Sequence, residues 1–149
     1  MKEIPRLNIP VAENCFFCGI KNEQGLRLTF YLDEDQIVVP VTIPKHLVGW
    51  GDVVHGGIVA GLLDEAASWC VAKILENLHF ATIQLAVKYK KPLRAGVPMT
   101  VRAKIVNQRF NIVDCEAWIA EQEGKRVCST ADVRIALIDE DKFNSFATG

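Results

Sequence analysis

Asp64 and Glu65 interrupt the run VVHGGIVAGLLDEAASWC, Val53 to Cys70, whose other residues after the glycines are almost all apolar or small. Burying an unpaired charge is costly or drives the carboxyl pKa upward, and a carboxylate held in that way is suited to take a proton or to attack a carbonyl. On a helical wheel Asp64 shares a side with Gly57, Ala60, Gly61, Ala67 and Ser68. That stripe lets a second backbone or a thin ligand approach the acid, although Gly61 costs a helix about 1 kcal/mol relative to Ala. Glu65 lies a quarter turn away, beside Ile58 and Leu62, and reads as a structural acid reaching a rim or Lys73.

The triplet His55-Gly56-Gly57 precedes this helix. Backbone N–H groups of a first helical turn lack internal partners and carry the positive end of the dipole, so Gly56 and Gly57 can donate to an oxyanion with no side chain in the way. His55 is read as part of the site, a helix cap or a core histidine. Asp64 stands eight positions after Gly56, roughly 12 Å along a helix axis. An attacking group and an oxyanion donor must both lie within about 3 to 3.5 Å of one carbonyl. One helix cannot supply both, whereas two antiparallel helices packed through the small stripe can.

The surrounding sequence supplies the frame. At 149 residues the chain is read as one domain, residues 1–149, with an extended arm over 1–14 and a frayed tail over 139–149. Its net charge of −1 argues against nucleic acid or an anionic membrane as the partner. With no signal-peptide core at the N-terminus and a helix broken by two acids, a cytoplasmic location is expected. Leu26 to Leu32 and Ile37 to Ile43 alternate about Asp33–Asp35 and predict a hairpin, with Pro40 placing the second strand at an edge or bulge. Ile83 to Tyr89, Met99 to Val106, Val113 to Ile119 and Val127 to Leu137 each predict a strand with one dry face. The expected architecture is α+β: a meander of about six antiparallel strands curved around one long central helix. Lys88, Lys90, Lys91 and Arg94 cluster near one strand end, and read either as a site for a ligand's phosphates or as an ordinary solvated strand end.

Five cysteines are present. Cys15 and Cys18 have the spacing of half a zinc site or of a redox pair, but tetrahedral zinc needs four ligands and Cys70, Cys115 and Cys128 are scattered. They are read as structural thiols around a tight turn at Gly19, and neither metal nor cofactor is expected.

The stretch HGGIVAGLLDEA, with Asp seven positions after the second Gly, and the strand LAVKYKKPLRAG together resemble hotdog-fold thioesterases of the 4-hydroxybenzoyl-CoA superfamily, particularly the phenylacetate-degradation, PaaI-like branch. The resemblance implies the hotdog fold and hydrolysis of an acyl-CoA thioester. It also implies a homodimer, or a dimer of dimers, with active sites shared between subunits. By position it assigns polarisation of the carbonyl to the Gly56 N–H, the nucleophile or general base to Asp64 and placement of water to Thr82, with His55 in the motif. Gly57 and the basic residues Lys90, Lys91 and Arg94 would bind substrate. Several members carry Asn or Gln about six residues before the motif His, where this chain has Gly49. A hydratase or dehydratase on the same fold, and a module that binds acyl-CoA without turning it over, are the alternative readings. Trp50, Trp69 and Phe80 are the candidate pocket walls.

Overall fold

The computed structural model describes residues 1–5 and 9–147. Among them, seven strands form one antiparallel sheet: β1 (Lys2–Glu3), β2 (Tyr31–Asp33), β3 (Gln36–Thr42), β4 (Phe80–Tyr89), β5 (Pro98–Arg109), β6 (Ile112–Glu121) and β7 (Arg126–Leu137). Helix α1 (Gly56–Trp69) continues into a π-helical turn over Cys70–Ile74. It packs on β3, β4, β5, β6 and β7, so the sheet is draped along it. Val101 and Ala103, Val113 and Cys115, and Val133 and Ile135 are buried on the helix side, each pair two residues apart as the pleat requires.

The sheet order β1-β2-β3-β5-β6-β7-β4 corrects the expected meander. The chain leaves β3, runs through the helix and lays β4 at the far edge against β7, then crosses back to pair β5 with β3. The helix spans the sheet and delivers the chain to the opposite side.

The hairpin also differs from its prediction. Along β3, β2 pairs only with Gln36 to Val38. Ladder donors alternate sides, so the N–H that Pro40 lacks belongs to the side facing β2, and the ladder stops there. The residues upstream of β2 bond elsewhere: Leu26 N–H and Leu28 N–H donate to the carbonyls of Phe16 and Phe17 at 2.8 and 2.9 Å, and Ile4 N–H to that of Phe30 at 2.9 Å. Rather than a purely extended arm, the N-terminus supplies β1 and a short 3-10 turn at Pro10–Ala12. The segment expected to fray forms helix α2 (Glu140–Ala147), with the Phe143 ring edge-on to His79 at 5.3 Å. Residues 6–8 of the arm and 148–149 of the tail lie outside the described residues.

β4 departs furthest from its period-two reading. Register shifts between Thr82 and Gln84, leaving Ile83 as a bulge. Ile83 and Tyr89 are more than half exposed and Leu85 is also exposed, so the face expected to be dry is open. No helix among the described residues is long and apolar enough to cross a membrane.

Candidate active site

Asp64 sits two turns into α1 and is half-buried. The Thr82 hydroxyl donates to Asp64 Oδ1 at 2.7 Å. Bulges re-aim neighbouring side chains, and the one at Ile83 lies next to the threonine that faces the helix. Burial raises the Asp64 pKa above the ordinary aspartate value, and the Thr82 hydrogen bond opposes that shift. The second carboxylate oxygen remains available to a water or an acyl group.

At the start of α1, His55 caps the helix: its Nδ1 accepts the Gly57 N–H at 2.9 Å. This adjusts the pair of oxyanion donors expected from the sequence, because the Gly57 N–H is already engaged. Gly56, at the first helical position, keeps an N–H with no partner inside the helix. Its carbonyl accepts the Tyr89 hydroxyl at 2.8 Å, and the tyrosine ring lies over its Cα, where a Cβ would stand 3.6 Å from it. Sequence reasoning missed Tyr89, since an aromatic in an alternating strand reads as core.

Gly56, Tyr89, Lys90, Lys91 and Ser129 border a cleft of about 260 Å³. Lys90 and Lys91 are fixed there by their backbone N–H groups, which both donate to the Cys128 carbonyl at 2.9 and 3.0 Å. Arg94 is exposed and bridges to Val53 just outside it. A Cβ at Gly49 would lie 3.6 Å from His55 Cα, so the position without the amide does adjoin the motif histidine. The structure thus gathers Gly56 with Lys90 and Lys91, and separately Asp64 with Thr82.

Three expectations change with the packing around the helix. Glu65 does not pair with Lys73; its Oε1 accepts the Trp69 indole N–H at 3.1 Å, and both oxygens lie 3.8 Å from Cys15 Sγ. Burial pushes Glu65 up to about 7. Of the proposed pocket walls, Trp50 is 95% exposed, while Trp69 stacks on Phe30 at 4.5 Å. Trp69 and Phe80 instead border a cleft that contains Cys15, Cys18 and Glu65. Nor is the small stripe open along its whole length, since the Phe17 ring lies against Gly61.

The sequence pattern of the Thioesterase superfamily matches residues 51–128, from the turn before the helix to the start of β7. The chain belongs to that superfamily. A curated protein from Saccharolobus solfataricus, provisionally named an esterase, is 30% identical over 70 residues, 46% of this chain and 46% of that one. The match therefore spans less than half of the curated relative. Among solved structures, a thioesterase superfamily protein aligns at a TM-score of 0.73 and 23% identity, over 85% of this chain and 61% of that chain. The E. coli PaaI protein from the phenylacetic acid degradation operon aligns at 0.68 and 20% identity, over 76% and 81%. A hypothetical thioesterase from Streptococcus pneumoniae TIGR4, solved with coenzyme A, aligns at 0.66 and 22% identity, over 73% and 84%. These likenesses establish the hotdog fold.

Proposed function

We propose that this protein hydrolyses an acyl-CoA thioester to a free acid and CoA, at a site completed by a second copy of the chain. The observation that carries the reading is the Asp64–Thr82 pair, a half-buried carboxylate held by a 2.7 Å hydrogen bond on the small-residue side of the helix. Asp64 acts as general base: Thr82 fixes one oxygen, the other takes a proton from water, and that water attacks the acyl carbonyl. A carboxylate whose pKa is raised toward neutrality is a better base than an ordinary one. The Gly56 N–H of the partner copy stabilises the developing oxyanion, and the thiolate of CoA leaves.

Two further observations favour a paired molecule. Gly56 and Asp64 lie too far apart on one helix to share a carbonyl. The outer edge of β4 is unpaired among the described residues and carries exposed Ile83, Leu85 and Tyr89, which suits it to meet β4 of a second copy. Lys90 and Lys91 at the cleft beside Gly56 supply charge for the CoA phosphates, with Arg94 at its margin. The coenzyme A seen in the S. pneumoniae thioesterase is consistent with that assignment. Further structures of that protein are an aspartate-to-alanine and a threonine-to-alanine mutant, the two residue types that are hydrogen-bonded here.

The test is a panel of short-chain, long-chain and aromatic acyl-CoAs with a thiol-detecting reagent. Free CoA thiol above the spontaneous rate is the expected result. A change in enoyl absorbance without free thiol, or binding with neither, would overturn the hydrolase reading.

A further inference from the structure

The loop from Ala12 to Gly19 folds tightly over α1, about a quarter turn around the helix from Asp64. Cys15 N–H donates to the Ala12 carbonyl at 3.1 Å, and Gly19 N–H to the Cys15 carbonyl at 2.9 Å. A Cβ on Gly19 would stand 2.5 to 2.6 Å from backbone atoms of Cys15 and Glu13, so only glycine fits the turn. The turn brings the Cys15 and Cys18 thiols together, and the backbone N–H groups of Phe17 and Cys18 point at the Cys15 sulfur. Glu65 then reaches them from the helix. Donor atoms of Cys15, Cys18 and Glu65 all lie within 4.8 Å of one another.

We propose that Cys15, Cys18 and Glu65 form a binding site for one thiophilic divalent metal ion, zinc first, whose fourth coordination position opens to the adjoining cleft. Zinc takes thiolate sulfur at about 2.3 Å and carboxylate oxygen at about 2.0 to 2.2 Å, which sets tetrahedral donors about 3.5 to 3.8 Å apart. The cluster needs only a small contraction to reach that spacing. Two sulfurs and one oxygen suit zinc and disfavour magnesium and calcium, which take oxygen donors.

The surrounding contacts are those a metal site requires. Trp69 orients Glu65 through Oε1, leaving Oε2 to the ion, and the loop N–H groups support the Cys15 thiolate. The fourth position faces a cleft of about 240 Å³ bordered by Ile9, Ala12, Ser68, Phe80 and Phe143, with room for a water or a larger ligand. The spacing Cys-x-x-Cys gave two ligands, and the fold provides the third from a residue fifty positions away. Binding takes both sulfurs as thiolates and Glu65 as a carboxylate, so the Cys18 proton and any proton on Glu65 are released, and it pins the N-terminal loop to the central helix.

The test uses the full-length protein purified under reducing conditions without chelator. Elemental analysis is expected to find one zinc per chain. Protein stripped with chelator and titrated with cobalt(II) should develop a thiolate-to-cobalt charge-transfer band and the visible bands of tetrahedral cobalt. X-ray absorption at the zinc edge should show two sulfur neighbours and lighter ones. Trp69→Phe should weaken zinc binding by about 10–100-fold, the usual effect of losing an orienting contact. Cys18→Ser should cut the charge-transfer band to half or less, since one sulfur ligand is lost. The parent protein alone can overturn the proposal: fully reduced thiols that take up neither zinc nor cobalt at stoichiometric concentration would do so, as would a zinc edge without sulfur.

Discussion

At residue scale, the proposed reaction makes Asp64 the proton acceptor and Thr82 the group that holds it by their hydrogen bond. Asp64→Asn preserves volume and should leave the thermal melt nearly unchanged, while kcat falls about 10²–10⁴-fold, the range for a lost general base. Thr82→Val removes a hydrogen bond to a charged group, about 1.5 to 3 kcal/mol, and should lower kcat by roughly 10–100-fold if the transition state feels all of it. A single turnover in heavy-oxygen water distinguishes water attack from attack by the carboxylate: label is expected in the product acid, and label in Asp64 instead would make it the nucleophile. His55 is tested by stability. His55→Ala should cost about 0.5 to 2 kcal/mol in chemical denaturation, and His55→Asn, which restores a capping oxygen, should recover most of it.

At the scale of elements, the helix was legible because HGG marks its start and a continuous apolar run marks its burial, and β5 to β7 were legible because each has one face on that helix. The order of the sheet was not, since alternation tells which face of a strand is dry and never which strand lies beside it. β4 was misread for a related reason. The bulge at Ile83 breaks the period-two count, so Thr82 faces Asp64 while Ile83 is exposed. Residue type and spacing singled out Asp64, Gly56 and the basic strand end as candidates. Tyr89 and the contact between Glu65 and Cys15 depend on which distant segments the fold brings together. Gly61 carries a prediction here. Replacing a helical glycine by alanine normally gains about 1 kcal/mol, but a Cβ at position 61 enters the Phe17 ring. Gly61→Ala should therefore destabilise the protein by about 1 to 3 kcal/mol, the usual cost of overpacking, as read from thermal and urea unfolding.

At the scale of the whole molecule, the proposed second copy completes each site, so activity and assembly should be lost together. Ile83→Lys puts a charge on the exposed edge of β4 and is expected to shift sedimentation toward monomer while thioesterase activity falls in proportion. Mixing subunits tests the sharing itself. Gly56→Pro and Asp64→Ala homodimers should each be nearly inactive, the first by about 10²–10³-fold. After dissociation and random reassortment about half of the dimers are mixed, and by twofold symmetry each has one intact site, so about a quarter of all sites recover. Activity that stays at the level of the separate variants, with reassortment shown by tagged subunits, would refute a shared site. The contact between Phe17 and Gly61 reaches beyond this molecule, because it joins two positions that can change only in concert. In descent from a common ancestor, a lineage that sheds the loop bearing Cys15 and Cys18 is released to fill position 61 with alanine and gain a firmer helix. A lineage that keeps the loop inherits the glycine with it, so that one small residue in the helix becomes a marker of the loop's history.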